Sequence, residues 1–367
     1  MIQLLLQVAL AVVVFYGIVR QRDSTAATYL LGYGVVIPVA VAYIPFELLE
    51  VLQVQNHIVK LGSVTLGTVV GFRTIEAMHG TSPAVVESTI GTYMTYYTSL
   101  MHFEWDPKTL RRRRITGAEL WSNLRTILIH FHLLCLVLSF EMHVDFKPFH
   151  SAVDLAAYNI SWDLLSLAHL GNAYCLAVLT YLVLATGFDL TAFNENVKGI
   201  YTKPIFLNPL FTSRTPTEFW GDKWNLMIHR ILKHGVFLPA KQFVSSRWAV
   251  LVTFVASGLL HDYSWALVFY HHRESRNEYG VCEDCFQPFP FKLTAFFLWN
   301  GVVMMLERPL AKYFAFTRSL PTPLVSTLVL CTALPVSHWY SGDWAVGGYF
   351  SDFAVGLWHV RKLSAEA

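Results

Sequence analysis

Apolar residues run along this chain in blocks of about twenty, and the charged residues gather in the stretches between them. The blocks occupy residues 2–19, 26–48, 121–141, 164–187, 247–270, 289–307 and 322–340, with a weaker one at 56–72. A helix rises about 1.5 Å per residue, so about 20 residues cross the hydrocarbon of a bilayer. The pattern therefore predicts about eight transmembrane helices. The blocks recur through the whole chain, which predicts one membrane-embedded domain over residues 1–367. The block at 2–19 lacks a basic start and is followed by Arg20 and Arg22, as in an uncleaved anchor. The stretch Pro83 to Met101, rich in Thr, Ser and Tyr, is expected at the interface or part way into the membrane. Pro38 and Pro45 predict a kink in the second block, or in the case of Pro45 its end.

The positive charges orient these blocks. Arg111 to Arg114 and the long segment 190–246, with Lys198, Lys203, Arg214, Lys223, Arg230, Lys233 and Lys241, read as cytosolic. Segment 142–163, with the sequon Asn159-Ile160-Ser161, and segment 271–288, with Glu274, Glu278, Glu283 and Asp284, then fall on the lumenal side. Composition agrees with the membrane reading: 54% of the 367 residues are hydrophobic and 14% charged, and mean hydropathy is +0.44, whereas a soluble domain carries about a quarter charged residues. A net charge of +2 without a concentrated basic face excludes nucleic acid as a partner. No internal repeat points to an inverted-repeat transporter.

Two segments carry candidate chemistry. Residues 215–235 are predicted to form one helix, 216–234, at the cytosolic interface. Thr215 is its N-cap, Pro216 its first residue, Glu218 closes a capping box, and Gly235 is a left-handed terminator. On it Trp220 and Trp224 share one face and Asn225 and His229 a neighbouring one. Indoles beside Lys223, Arg230 and Lys233 suit the membrane surface, where a plain anchor without chemistry is the simpler reading. The second segment is Ser257-Gly-Leu-Leu-His-Asp-Tyr263, which puts His261 and Asp262 inside an apolar block. Ionisable groups in hydrocarbon are costly and are kept for function, although a histidine can also serve as a structural donor to a helix carbonyl.

Asn208-Pro-Leu, Thr215-x-x-x-Phe-Trp-Gly-x-x-Trp-Asn225 and Ser257-Gly-x-x-His261, the histidine 36 positions after Asn225, together resemble the wax-synthase branch of the membrane-bound O-acyltransferase superfamily. The resemblance covers residues 205–263; Glu307-Arg-Pro309 resembles a later family element more weakly. It implies that His261 is the catalytic histidine and Asn225 its partner asparagine. Asp262 stands where plant members of that branch often carry glutamate, and is assigned a supporting, substrate-binding role. The implied fold is an all-α polytopic membrane protein with interfacial helices around an intramembrane reaction chamber. The implied reaction joins a fatty acyl group from acyl-CoA to a long-chain fatty alcohol, giving a wax ester; diacylglycerol and small metabolites are alternative acceptors. The implied membrane is the endoplasmic reticulum.

General chemistry supports the roles. Neutral His261 removes the acceptor's hydroxyl proton as the oxygen attacks the thioester carbonyl, and the Asn225 amide donates to that carbonyl as charge develops. Acyl-CoA is a co-substrate; no cofactor or metal is expected. Trp220, Trp224, Lys223 and Arg230 are further candidate substrate contacts, the cations through the phosphates of CoA. Cys282-Glu-Asp-Cys285 supplies two ligands where structural zinc wants four, so a disulfide or two free thiols is expected instead. His130 and His132, two apart in one block, point to different helix faces, and one is expected to be packed or to line a cavity. A transporter using His261 and Asp262 as a proton relay is the rival from another class, and a catalytically silent lipid-binding relative a third reading.

Overall fold

The computed structural model describes residues 2–273, 282, 285–355 and 357–360. The acidic residues Glu274, Glu278, Glu283 and Asp284 lie outside the described residues. The elements are helices: α1 (Ile2–Gly17), α2 (Ala26–Leu52), α3 (His57–His79), α4 (Ile90–Thr98), α5 (Gly117–His143), α6 (Leu167–Val197), α7 (Leu226–Leu232), α8 (Ser246–Val268), α9 (Lys292–Leu310), α10 (Thr322–Leu330), α11 (His338–Val346) and α12 (Tyr349–Ala354). Extended pairing includes the isolated bridges of Trp105 with Arg112 and of Arg114 with Ile200.

Among the described residues six helices are long and apolar enough to cross a membrane: 2–21, α2, α3, α5, α6 and α8. The weak block at 56–72 is a full helix, α3, which Asn56 starts by accepting hydrogen bonds from the amides of Ile58 (3.0 Å) and Val59 (3.2 Å). The expected span at 322–340 is instead broken: α10 stops at Leu330, a turn and a short 3-10 segment at Leu334–Val336 follow, and α11 starts at His338. Pro335 in the middle of that block withholds a backbone donor where a continuous helix requires one. Pro45 does not end α2, which runs on to Leu52. The helix absorbs both prolines by widening into π-type turns at Gly32–Val36 and Pro38–Tyr43.

The chain forms two compact units, each assembled from two separate stretches. The first comprises residues 1–113 and 227–288. In it Ala11, Val14 and Phe15 of α1, Val70, Ala77 and Met78 of α3 and Tyr93 and Tyr97 of α4 form one core. The stretch expected to lie at the interface, 83–101, thus contributes fully buried tyrosines. α3 reaches the backbone of α2 through Gly67, where a Cβ would stand 2.6 Å from the Ala40 carbonyl oxygen. Small residues allow such approach in membranes, where dispersion has to replace the hydrophobic drive. α8 packs along α3: Leu267 joins Leu49 and Val64, and the Tyr263 hydroxyl donates to the Val41 carbonyl.

The second unit comprises residues 114–226 and 289–367. α5 and α6 pack against each other in it, each with its start written locally. Thr116 and Glu119 form a reciprocal capping box on α5, and Ser166 accepts the His169 amide at the head of α6. Arg214 ties the approach to the tryptophan-rich segment onto the turn before α10, donating to Thr322 Oγ1 (2.8 Å) and the Thr317 carbonyl (3.0 Å). Glu307 near the end of α9 accepts from the Thr217 amide (2.8 Å) and hydroxyl (2.7 Å).

Candidate active site

The tryptophan-rich segment is not one helix. Its start follows half of the expected capping box: the Glu218 amide donates to Thr215 Oγ1 (3.0 Å), but the Glu218 carboxylate accepts from the Arg214 amide (2.7 Å). Residues Glu218–Lys223 form a π-type turn, Trp224 is extended, and Asn225 takes a left-handed φ of 39°. Two backbone bonds impose the break: the Leu226 amide donates to the Ile205 carbonyl (2.8 Å) and the Leu207 amide to the Lys223 carbonyl (3.0 Å). A continuous helix would have to give up both. Asparagine is among the few residues besides glycine that adopt this backbone readily. The break means that Asn225 and His229 do not share a helix face. α7 then runs into another π-type turn, Lys233–Phe237. Gly235 therefore is not a left-handed terminator. A Cβ there would meet Phe72 Cδ1 at 3.0 Å and its carbonyl oxygen at 3.2 Å, so its role is close packing.

Trp220 and Trp224 do come together, ring centroids 6.0 Å apart, and are half-buried within the second unit. Trp224 stacks on Phe219 (5.4 Å) and meets Phe206 (5.5 Å) and Tyr181 (6.2 Å), while Trp220 meets Phe297 (6.0 Å) and Phe296 (6.3 Å). These indoles pack into the protein's own aromatic cluster. Lys223 is engaged too: its ammonium donates to the Thr212 carbonyl and pairs with Glu218, both at 2.6 Å. Burial raises the Glu218 carboxyl, but the Lys223 and Arg214 contacts prevail and hold it below its ordinary value. Arg230 is half-buried on α7 in the first unit.

His261 sits in the first unit, half-buried on α8, fifteen residues past Ser246. Its Nδ1 lies 2.6 Å from the Ser257 carbonyl one turn back. A carbonyl only accepts, so Nδ1 carries the proton and Nε2 the lone pair, which is the tautomer a base needs. Trp265, buried a turn further on, flanks the ring at 6.2 Å. His132 and His143 on α5 make the same contact with Leu128 (2.6 Å) and Ser139 (2.7 Å), so the carbonyl bond alone does not mark a catalytic histidine. Asp262 is half-buried beside it on α8.

Two polar groupings inside the spans are invisible to motif and periodicity. In the second unit His130 of α5 and Asp189 of α6 meet at 2.7 Å, with the Tyr181 hydroxyl 3.5 Å from His130 Nε2 and donating to Asn208 Oδ1 (3.3 Å). Of the histidine pair in α5, His130 is thus the packed member. In the first unit Arg73 and Glu76 of α3 are buried, the latter accepting from the Tyr96 hydroxyl. A charge inside a span was the available signal for Arg73, Glu76 and Asp189. Cys282 and Cys285 are joined as a disulfide. His271 lies beside them, with all three donor atoms within 4.8 Å of one another, but bonded sulfurs are not thiolate ligands.

Residues 202–280 match the family described as Membrane bound O-acyl transferase. Over 149 residues the chain is 30% identical to Probable long-chain-alcohol O-fatty-acyltransferase 2 of Arabidopsis thaliana, covering 38% of this chain and 37% of that protein. It is 30% identical over 186 residues to Probable long-chain-alcohol O-fatty-acyltransferase 6 of the same plant, 48% of each chain. It is also 29% identical over 143 residues to Acyl-CoA--sterol O-acyltransferase 1, 36% of each. The chain thus spans less than half the length of these curated relatives. The family match contains both the Asn225 turn and the His261 helix, and the chain is similar over this stretch to membrane bound O-acyl transferases of the long-chain-alcohol O-fatty-acyltransferase kind.

Proposed function

We propose that this protein is a multi-pass enzyme of the endoplasmic reticulum that transfers a long-chain acyl group from acyl-CoA to a long-chain fatty alcohol, forming a wax ester without a cofactor. The observation that carries the reading is an intramembrane histidine, His261, held on α8 with Nδ1 on the Ser257 carbonyl, inside the family-matched stretch. His261 Nε2 takes the proton of the alcohol as its oxygen bonds to the thioester carbon. The resulting oxyanion collapses, the carbon–sulfur bond breaks, and the imidazolium returns the proton to the CoA thiolate. Asn225, presented on a left-handed turn, is assigned the amide that donates to the oxyanion. Hydrocarbon around the reaction keeps out the water that would otherwise hydrolyse the thioester. Trp220, Trp224 and Asp262 are assigned to shaping the site for the lipid substrates.

The test is product formation by purified protein from labelled palmitoyl-CoA with hexadecanol, a sterol, diacylglycerol or no acceptor. The expected product is hexadecyl palmitate. A steryl ester as the main product would move the acceptor to the sterol, which one relative's name supports. No ester from any acceptor would remove the acyl-transfer reading and favour transport.

A further inference from the structure

Lys223, which the sequence offered for the CoA phosphates, and the nearby Arg214 are engaged elsewhere. Lys223 is held by Thr212 and Glu218, and Arg214 by Thr322 and Thr317. A different cation is not satisfied by the protein. Arg73 of α3 is 4% exposed, and its Nε and Nη1 are buried without a hydrogen-bond partner. One face of the guanidinium is covered by the Tyr96 ring, 4.3 Å away, which leaves the in-plane donors to find an acceptor. Glu76, one turn on, directs its carboxylate to the Tyr96 hydroxyl. The hydroxyl of Tyr93, fully buried on α4 and stacked on Tyr97 at 5.6 Å, is unpartnered as well. Buried donors without acceptors are costly, so Arg73 Nε and Nη1 mark an absent acceptor even with the Glu76 carboxylate one turn away.

We infer that Arg73, with the Tyr96 ring of α4 over it, binds a phosphate of the acyl donor. The inference rests on the reading of acyl-CoA as donor. Position supports it. The Arg73 end of α3 is fastened to segment 190–246, which the positive-inside rule makes cytosolic: Thr81 Oγ1 donates to the His234 carbonyl (2.6 Å), and Phe72 packs on Gly235. α3 and α8 run antiparallel, Lys60 Nζ donating to the Tyr270 carbonyl (2.7 Å). Counting inward from that contact at about 1.5 Å per residue sets Arg73 about one turn nearer the cytosol than His261. In acyl-CoA the phosphates and the thioester lie at opposite ends of the pantetheine arm, in the same order. A bilayer lipid headgroup offers the same oxyanion, but this guanidinium is enclosed between α3 and α4 and does not face the lipid-exposed surface.

The test pairs binding with donor selectivity. The dissociation constant for CoA itself, measured by calorimetry on purified protein, is expected to rise about ten- to a hundredfold in Arg73→Gln and less in Arg73→Lys, which keeps the charge. The ratio of kcat/KM for palmitoyl-CoA to that for palmitoyl-pantetheine, which lacks the phosphates, is expected to fall by a similar factor. Should Arg73→Gln fail to fold, the pair Arg73→Gln with Glu76→Gln, which removes both buried charges together, carries the same readouts. Unchanged CoA affinity and donor ratio would overturn the inference, whatever the stability. So would loss of a co-purifying anionic phospholipid at unchanged CoA affinity. A protein that makes no ester but binds CoA through Arg73 would refute the proposed reaction and leave this inference standing.

Discussion

Two half-buried histidines inside spans, His261 in the first unit and His130 in the second, have partners of opposite character. His261 Nδ1 faces the Ser257 carbonyl of its own helix, and His130 Nδ1 faces the Asp189 carboxylate of a neighbouring one. A carbonyl only accepts, so it fixes the proton on His261 Nδ1 and leaves the lone pair on Nε2. A carboxylate at 2.7 Å on the neighbouring helix turns the histidine into a link between α5 and α6. The same residue type thus has its tautomer fixed within one helix in one place and bridges two helices in the other.

The largest effect expected from this contrast is on turnover. His261→Ala should lower ester formation about 10²- to 10⁴-fold with its thermal unfolding midpoint nearly unchanged, whereas His130→Ala should keep most of the activity and lose stability. Product assays and thermal melts on both purified variants decide it. A His130→Ala protein that is stable and inactive would exchange the two roles.

Asn225 sharpens the contrast from the other side. Its left-handed φ of 39° and its amide are separable. Asn225→Gly keeps the backbone and deletes the amide, and Asn225→Ala strains the backbone as well. Both should lose about 10²- to 10³-fold in kcat if the amide stabilises the oxyanion, with Ala alone losing stability by about 1 kcal/mol or more. Activity retained in Gly and lost in Ala would assign Asn225 to the turn alone.

The third effect is the link between α5 and α6 itself. In a double-mutant cycle of His130→Ala and Asp189→Ala followed by thermal unfolding, the coupling should be about 1–3 kcal/mol, as for a charge-assisted hydrogen bond in a partly buried setting. A coupling near zero would mean that α5 and α6 are held by packing alone.

The sequence revealed those parts that depend on local composition. α1, α2, α5, α6 and α8 are uninterrupted apolar blocks and are where hydropathy puts them. α3 reads as a weaker block that stops at 72, short of Arg73 and Glu76, and the structure buries both of these and Lys60 within one helix. His261 and Asn225 stood out through their motifs, but the break before Leu226 depends on carbonyls at Ile205 and Lys223 that no helical period encodes. Likewise the His130–Asp189 contact joins positions 59 apart, and Gly235 is read as a terminator until Phe72 is seen against it. Local pattern finds spans and caps; partners across the fold stay hidden in it.

The smallest effect concerns Glu218, which fastens the start of the tryptophan-rich segment through Lys223 (2.6 Å) and the Arg214 amide (2.7 Å). Burial raises this carboxyl, but those contacts outweigh it and hold the folded-state value below the ordinary one. The contribution is therefore complete above the unfolded carboxyl's pKa, about 4.3, and is lost as pH falls through the folded value. Thermal melts of wild type and Glu218→Gln between pH 7 and pH 3 isolate it from the other carboxylates. The advantage of wild type should be under about 1 kcal/mol at neutral pH, because the pair is partly solvated, and should vanish at the acid end. An advantage that grows as the pH drops would show that protonated Glu218 is the better partner, which the carboxylate's two donors, an ammonium and an amide, do not allow.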